Sequence, residues 1–365
     1  MMLPIERKSI EPMALAWDGG DVQAMQQCIG QGQWHDEALL EQHWRLGDET
    51  LGEADGVCIV DGSDVPTHGD HAVGVARQWC GRLGKVDNCQ AGVFTAYASG
   101  TGYTLLDRRL SLPDAWFEAA HRERWQKCGI PEDTRFTTKP TLALEMRQAV
   151  VQAGTVRFRW VTCEEAFGRE PTFLDGVAAL PRWERADVPH DTRVWLTRPA
   201  TAVPAWSGRG RRPHKARLLP GAPAPQRVDQ LVATRPAEAW HPALIKEGRK
   251  GPLVAEFACQ RGVAVRAGLP GPDVWIVFRR ALGADPELKV SLSHAPAHTP
   301  VATLVRVTGM RWPIETALEE SKGGLGMDHY EVRSWLGWHH HITLCLLAHH
   351  FLVRARARVN KGRRR

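Results

Sequence analysis

The stretch VCIVDGS, Val57 to Ser63, decides the fold of this chain. Four apolar residues, three of them β-branched, run into Asp61 and the turn-forming pair Gly62-Ser63, the pattern of a buried strand that closes on an acid. Downstream, residues 92–98 (GVFTAYA) and 103–110 (YTLLDRRL) flank Ser99-Gly100-Thr101-Gly102, which predicts a hairpin. Residues 113–126 and 140–153 show helical spacing, and 156–163 (VRFRWVTC) alternate as a strand ending next to Glu164. The order strand, strand, strand, helix, strand predicts an α/β fold with a mixed sheet.

Upstream, residues 13–51 lack proline and interleave charged with apolar residues, as two short helices would. From about 181 to 270 proline and glycine punctuate the chain, with five prolines between Pro204 and Pro225. This segment reads as an insertion, part strand and part loop. Regular pattern returns at 274–278 (VWIVF) and 288–292 (LKVSL), followed by two or three helices between Pro300 and about Val353. The expected division is therefore a helical region at 1–50, a core at 51–180 and 271–353, an insertion at 181–270 and a basic tail at 354–365.

The 365 residues carry 47 Lys+Arg against 41 Asp+Glu, a net charge of +6. The tail RARARVNKGRRR holds seven basic residues and no acid, so the rest of the chain is close to neutral at −1. A second acid-free run, RGRRPHKAR at 209–217, holds five more, including Arg211 and Arg212. Such clusters bind phosphates. With 43% hydrophobic residues the chain can bury a core, which excludes global disorder and a fibrous protein. The opening MMLPIERKS becomes charged before an apolar segment develops, and the best apolar run, 342–353, is short and contains two histidines. Neither a secretory signal nor a spanning helix is expected. Eight scattered cysteines without a CxxC fit a reducing cytoplasm better than a disulfide framework.

Three acids stand at or within regular elements: Asp61, Glu164 and, in the late helix, Glu315. Carboxylates from adjacent strand ends and a helix can converge on two divalent cations, which take hard oxygen ligands and serve phosphodiester transfer. At ~100° per residue, Arg311, Glu315 and Lys322 fall within about 40° of one another, one helix face with a carboxylate between two cations. Alone, Arg-x3-Glu reads first as an ordinary helix salt bridge. Several other features have bland alternatives. GRLGK at 81–85 lacks the first glycine and the Ser/Thr of a phosphate loop. Arg77 and Lys85 fit DNA-backbone contacts or a solvated charged loop. His341, Cys345 and His349 form a stripe that suits Zn²⁺ or, in its apolar surroundings, a packed core helix. Cys80 and Cys89 read as buried thiols and Asp107 as an ion-pair partner of Arg108 or Arg109.

Longer motifs narrow the choice. DGSDVPTHGDHAVGVARQWCGRLGKVDNCQAGVF (61–94), LLDRRLSLPDAWF (105–117), TRFTTKPTLALEM (134–146), WVTCEEAFG (160–168) and RWPIETALEESKGGLGMDHYEVRSWLGWHHHITL (311–344) resemble the DDE transposases of bacterial insertion sequences. The resemblance covers most of the chain outside 181–270. It implies a ribonuclease-H-like core, catalytic and metal-binding acids at Asp61, Glu164 and Glu315, and two Mg²⁺ or Mn²⁺ ions. It also implies phosphate-binding cations at Arg311 and Lys322, beside the DNA-contact candidates Arg77, Lys85, Arg211 and Arg212. The implied partners are double-stranded DNA, as element terminal inverted repeats and target, and a second copy in a synaptic dimer, in the bacterial cytoplasm at the nucleoid and without a membrane. Three departures accompany it. The second acid, a Gly-Asp pair in the family, is Cys163-Glu164 here; Thr308 stands where the Tyr of the Tyr-x2-Arg-x3-Glu-x6-Lys signature belongs; and the family continues upstream of Met1 with a helical DNA-binding region. The expectations are an N-terminally truncated transposase that cleaves and transfers strands or, alternatively, an impaired remnant that only binds DNA.

Overall fold

The computed structural model describes residues 1–248, 251–283 and 287–363. The chain divides into two compact units, residues 1–160 with 310–365, and residues 161–309. Arg364 and Arg365, at the end of the basic tail, lie outside the described residues.

The first unit opens with three helices, α1 (Ile10–Leu15), α2 (Val22–Gly30) and α3 (Asp36–Leu51), where two were expected. Asp21 starts α2 by accepting the amide protons of Gln23 and Ala24 at 2.8 and 3.0 Å, satisfying donors the helix leaves open. Next come β1 (Val57–Pro66), β2 (Ala76–Cys80), β3 (Lys85–Ser99) and β4 (Gly102–Ser111). The long β3 is the hub: β1 and β4 run antiparallel to it, and its first residues pair with β2. The hairpin expected from the Ser99–Gly102 spacing is β3–β4. One expectation is corrected here. The first strand does not stop at Asp61, because β3 pairs with it through Gly62↔Val93 and Ser63↔Gly92 as far as Pro66↔Cys89. A partner strand supplies the hydrogen bonds that override local turn propensity.

Residues 113–126 become two short 3-10 turns and α4 (Arg122–Cys128), and Thr138 caps α5 (Lys139–Ala153). Buried Arg147 of α5 donates to the Ile59 carbonyl at 3.2 Å and to Cys58 Sγ at 2.6 Å, tying the helix to β1 just before Asp61.

At the boundary lies β5 (Trp160–Cys163), shorter than the expected 156–163, and within the second unit follow α6 (Glu165–Gly168), α7 (Pro171–Ala179), β6 (Trp183–Val188) and β7 (Arg193–Trp195). Gly168 is required by close approach: a Cβ there would lie 1.9 Å from the Asp187 carbonyl oxygen. The short ladder of β8 (Thr201–Ala202) and β9 (Arg217–Leu218) brackets the basic run. Then come β10 (Gln226–Arg227), α8 (Val228–Ala233), β11 (His241–Gly248), β12 (Gly251–Arg266), β13 (Leu269–Ala281) and β14 (Leu288–Ser293). Within this unit antiparallel pairing runs β10-β7-β12-β13-β14-β6, with β11 also on β12. Val188, Val194, Trp240, Ile276, Phe278 and Leu292 are buried together in its core. Helix α9 (Val301–Gly309) packs on β11 and β6.

The chain returns to the first unit with α10 (Trp312–Leu325) and α11 (Trp335–Arg363). Gly326 ends α10 in the left-handed conformation, φ 72°, that glycine adopts without steric cost. Helix α10 covers β1, β3 and β4, and α11 lies against β4, α10, α2 and α3. His43 and Trp44 of α3 bond the adjacent Leu105 and Leu106 carbonyls of β4 at 2.6 and 3.0 Å. The result is a mixed α/β protein, sheet flanked by helices, consistent with a ribonuclease-H-like fold. Among the described residues no helix is long and apolar enough to cross a membrane.

Candidate active site

Strand β1 fixes the first acid. Asp61 stands opposite Phe94 of β3, and strand alternation turns its side chain to the same face as Ser63 and Val65, the face covered by α10. Asp61 is buried, and its Oδ1 accepts the Gly62 amide proton at 2.8 Å. Helix α10 begins after Arg311, with Pro313 in its first turn, where a missing amide proton costs nothing. Glu315 lies in that first turn, where the positive end of the helix favours a carboxylate.

Arg311 joins the two acids. Its Nη2 donates to Glu315 Oε1 at 2.7 Å, and its Nη1 lies 3.9 Å from Asp61 Oδ2. Arg311 is only 8% exposed, and its guanidinium carbon lies 5.6 Å from the centre of the Trp312 ring. The helix ion pair that Arg-x3-Glu offers is made, and the same side chain also reaches Asp61. Carboxylate oxygens are the hard donors that a divalent cation such as Mg²⁺ takes, so Asp61 and Glu315 fit as its ligands.

Lys322, two turns further along α10, is set deeper than a solvent-facing cation. Its ammonium lies 3.4 Å from the Asp64 carbonyl oxygen, and burial, reinforced by Arg82, pushes its pKa below the usual lysine value. Arg82 itself pairs with Asp328. Other acids that could ligate a metal are engaged elsewhere: Asp64 accepts the Gly81 amide proton at 2.8 Å and faces Lys139 at 3.8 Å. Asp107 pairs with Arg109 at 2.8 Å and Arg108 at 3.5 Å, the ion-pair role expected of it. Glu165 pairs with Arg169 at 2.8 Å.

Glu164 belongs to the second unit, half-buried between β5 and α6. Arg77 is exposed on β2, and Lys85 pairs with Asp87 at 2.8 Å. Arg211 and Arg212 are exposed between β8 and β9. Thr308, at the signature's Tyr position, is buried in α9 and donates back to the Leu304 carbonyl at 2.9 Å. The stripe on α11 separates: His341 bonds the Gly326 carbonyl at 3.1 Å and lies 3.6 Å from the thiol of Cys345, one turn along, whereas His349 bonds Glu320 at 3.1 Å. Cys80 and Cys89 are buried free thiols, as expected. Among the described residues no three His, Cys, Asp or Glu side chains are grouped to hold a metal. Sequence reasoning missed Arg147, whose signal was a cation on the apolar face formed by Ala143, Met146 and Val150.

The profile of the DDE superfamily endonucleases matches residues 1–252, about two thirds of the chain. The matched span includes Asp61 and Glu164, whereas Arg311, Glu315 and Lys322 follow it. No curated protein matches the chain. On the strength of that match the chain belongs to the DDE superfamily endonuclease family.

Proposed function

We propose that the protein is a transposase that cuts DNA at the ends of an insertion sequence and joins the freed 3′ ends to target DNA. The observation that carries this is the meeting of Asp61 and Glu315, from β1 and α10, around Arg311. Asp61 and Glu315 would hold Mg²⁺ or Mn²⁺, and Glu164 is the third acid of the proposed two-metal chemistry. When bound, such ions make water or a 3′-hydroxyl nucleophilic and stabilise the departing oxygen. The chain's own cations do the rest: Arg311 and Lys322 orient the scissile and adjacent phosphates, and Arg77, Lys85, Arg211, Arg212 and the tail hold the duplex backbone. A homodimer would bring two ends together.

A second function, DNA binding without chemistry, is favoured by Glu164 itself. Its extra methylene moves the carboxylate by roughly 1.5 Å relative to Asp, and misplacement near 1 Å can cost about 100-fold in rate. Both are tested by incubating the protein with Mn²⁺ and plasmid carrying the DNA that flanks its gene, beside Glu164→Asp and Asp61→Ala. Cleavage by the natural protein that Asp61→Ala abolishes supports the transposase. Cleavage by Glu164→Asp alone identifies a binder, and cleavage that persists in Asp61→Ala refutes the assigned site.

A further inference from the structure

The guanidinium of Arg311 lies where positive charge is needed to hold two carboxylates together. Asp61 is 7% exposed and Arg311 8%, so water screens their attraction poorly. Glu315 is one helical turn from Arg311 and bonds it at 2.7 Å; Asp61 arrives from a strand and approaches within 3.9 Å. Building on the metal site proposed above, we propose that Arg311 is the resident counter-ion of the metal-free site, displaced from between Asp61 and Glu315 when divalent cations enter and thereby released to meet DNA phosphate.

Competition follows directly. A cation entering between these carboxylates must separate them from the guanidinium, so Arg311 lowers metal affinity even though it shares the site. The coupling is reciprocal: a phosphate that draws Arg311 away raises the affinity for metal by the same factor that metal raises the affinity for phosphate. The site is then kept closed until DNA and metal arrive together. Arg311 acts here as a positioning residue, and its effect is read in binding rather than turnover.

The test is isothermal titration of Mn²⁺ into the full-length protein, Arg311→Gln and Arg311→Lys. Arg311→Gln is expected to bind Mn²⁺ at least tenfold more tightly than wild type, with Arg311→Lys restored towards the wild-type value. Equal or weaker binding by folded Arg311→Gln overturns the proposal. Because Arg311 also lies 5.6 Å over the Trp312 ring, a second readout uses the natural sequence. In fluorotryptophan-labelled protein, the ¹⁹F resonance that Trp312→Phe removes should shift as diamagnetic Mg²⁺ binds. A resonance that stays fixed while Mg²⁺ binding is measured also overturns it, whether or not Arg311→Gln folds. If neither wild type nor Arg311→Gln binds Mn²⁺, the metal site itself is wrong and the displacement falls with it, an outcome distinct from binding without displacement.

Discussion

Acidification should loosen the first unit well before its carboxylates protonate. His43 and His341 are buried, and burial holds each at a pKa of about 4 against an ordinary 6.5. Both folded values are depressed, so the stability these rings contribute is complete above pH 6.5 and is lost as pH falls towards 4. Between pH 6.5 and 5.0 the unfolded chain takes up protons that the folded chain refuses. At about 1.4 kcal/mol per pH unit over roughly 1.5 units, each ring costs about 2 kcal/mol and the two about 4. His339, held well below its ordinary value, and His350, at about 3, act in the same direction. Glu320, held down to about 2 first by the His349 hydrogen bond and further by Arg356, loses its contribution only below pH 4.5 and does not confuse this window. Urea unfolding followed by tryptophan fluorescence at pH 7.5 and 5.0 measures the loss. His43→Gln should shrink the difference by about 2 kcal/mol. A wild-type difference below about 1 kcal/mol, or one that His43→Gln leaves unchanged, refutes the assignment.

Other outcomes follow from single contacts. Arg147→Ala should lower stability by about 3 kcal/mol in chemical denaturation, because it empties a buried site and removes the donor to the Ile59 carbonyl, whereas Arg147→Met, which refills the volume, should recover part of the loss. Gly168→Ala should destabilise the second unit, measurable as a lower thermal midpoint, since its Cβ would overlap the Asp187 carbonyl. Trp44→Phe should cost about 1 kcal/mol by removing the hydrogen bond to the Leu106 carbonyl, read by the same denaturation. Replacing Arg354, Arg356 and Arg358 with Gln should flatten the salt dependence of DNA binding by close to one unit of slope for each phosphate no longer neutralised, measured by fluorescence anisotropy at several salt concentrations.

Local pattern was a good guide where an element is decided by its own residues. The β3–β4 hairpin follows from two glycines between apolar runs, and α10 from the helical spacing of Arg311, Glu315 and Lys322. It failed where a distant partner decides. Gly62-Ser63 has turn chemistry, yet β3 recruits it as strand. Val156 and Phe158 alternate as a strand would, yet Arg157 is drawn to Asp48 at 2.9 Å and the Arg159 amide to the Gly56 carbonyl at 3.0 Å, so strand begins only at Trp160. The candidate site shows the same division. Helical spacing placed Glu315 beside Arg311, but nothing local announced that Arg311 also reaches Asp61, 250 positions earlier in the chain. Nor could spacing show that Lys322 is drawn inward to Asp64, or that His349 leaves its stripe for Glu320.

The basic tail is the continuation of α11, which runs without a break from the buried His339–His341 region to Arg363. At 1.5 Å per residue its 29 residues span about 44 Å. Arg354 and Arg358 are one turn apart, and Arg356 is anchored to Glu320 at 2.8 Å. A flexible polycation would have to surrender conformational freedom on meeting a duplex, whereas Arg354, Arg356 and Arg358 are already held on a helix that packs on the core. Arg354, Arg356 and Arg358 therefore sit on a stiff rod whose direction is set by the packing of α11, so that a core substitution which tilts the helix would re-aim them without touching a single basic residue.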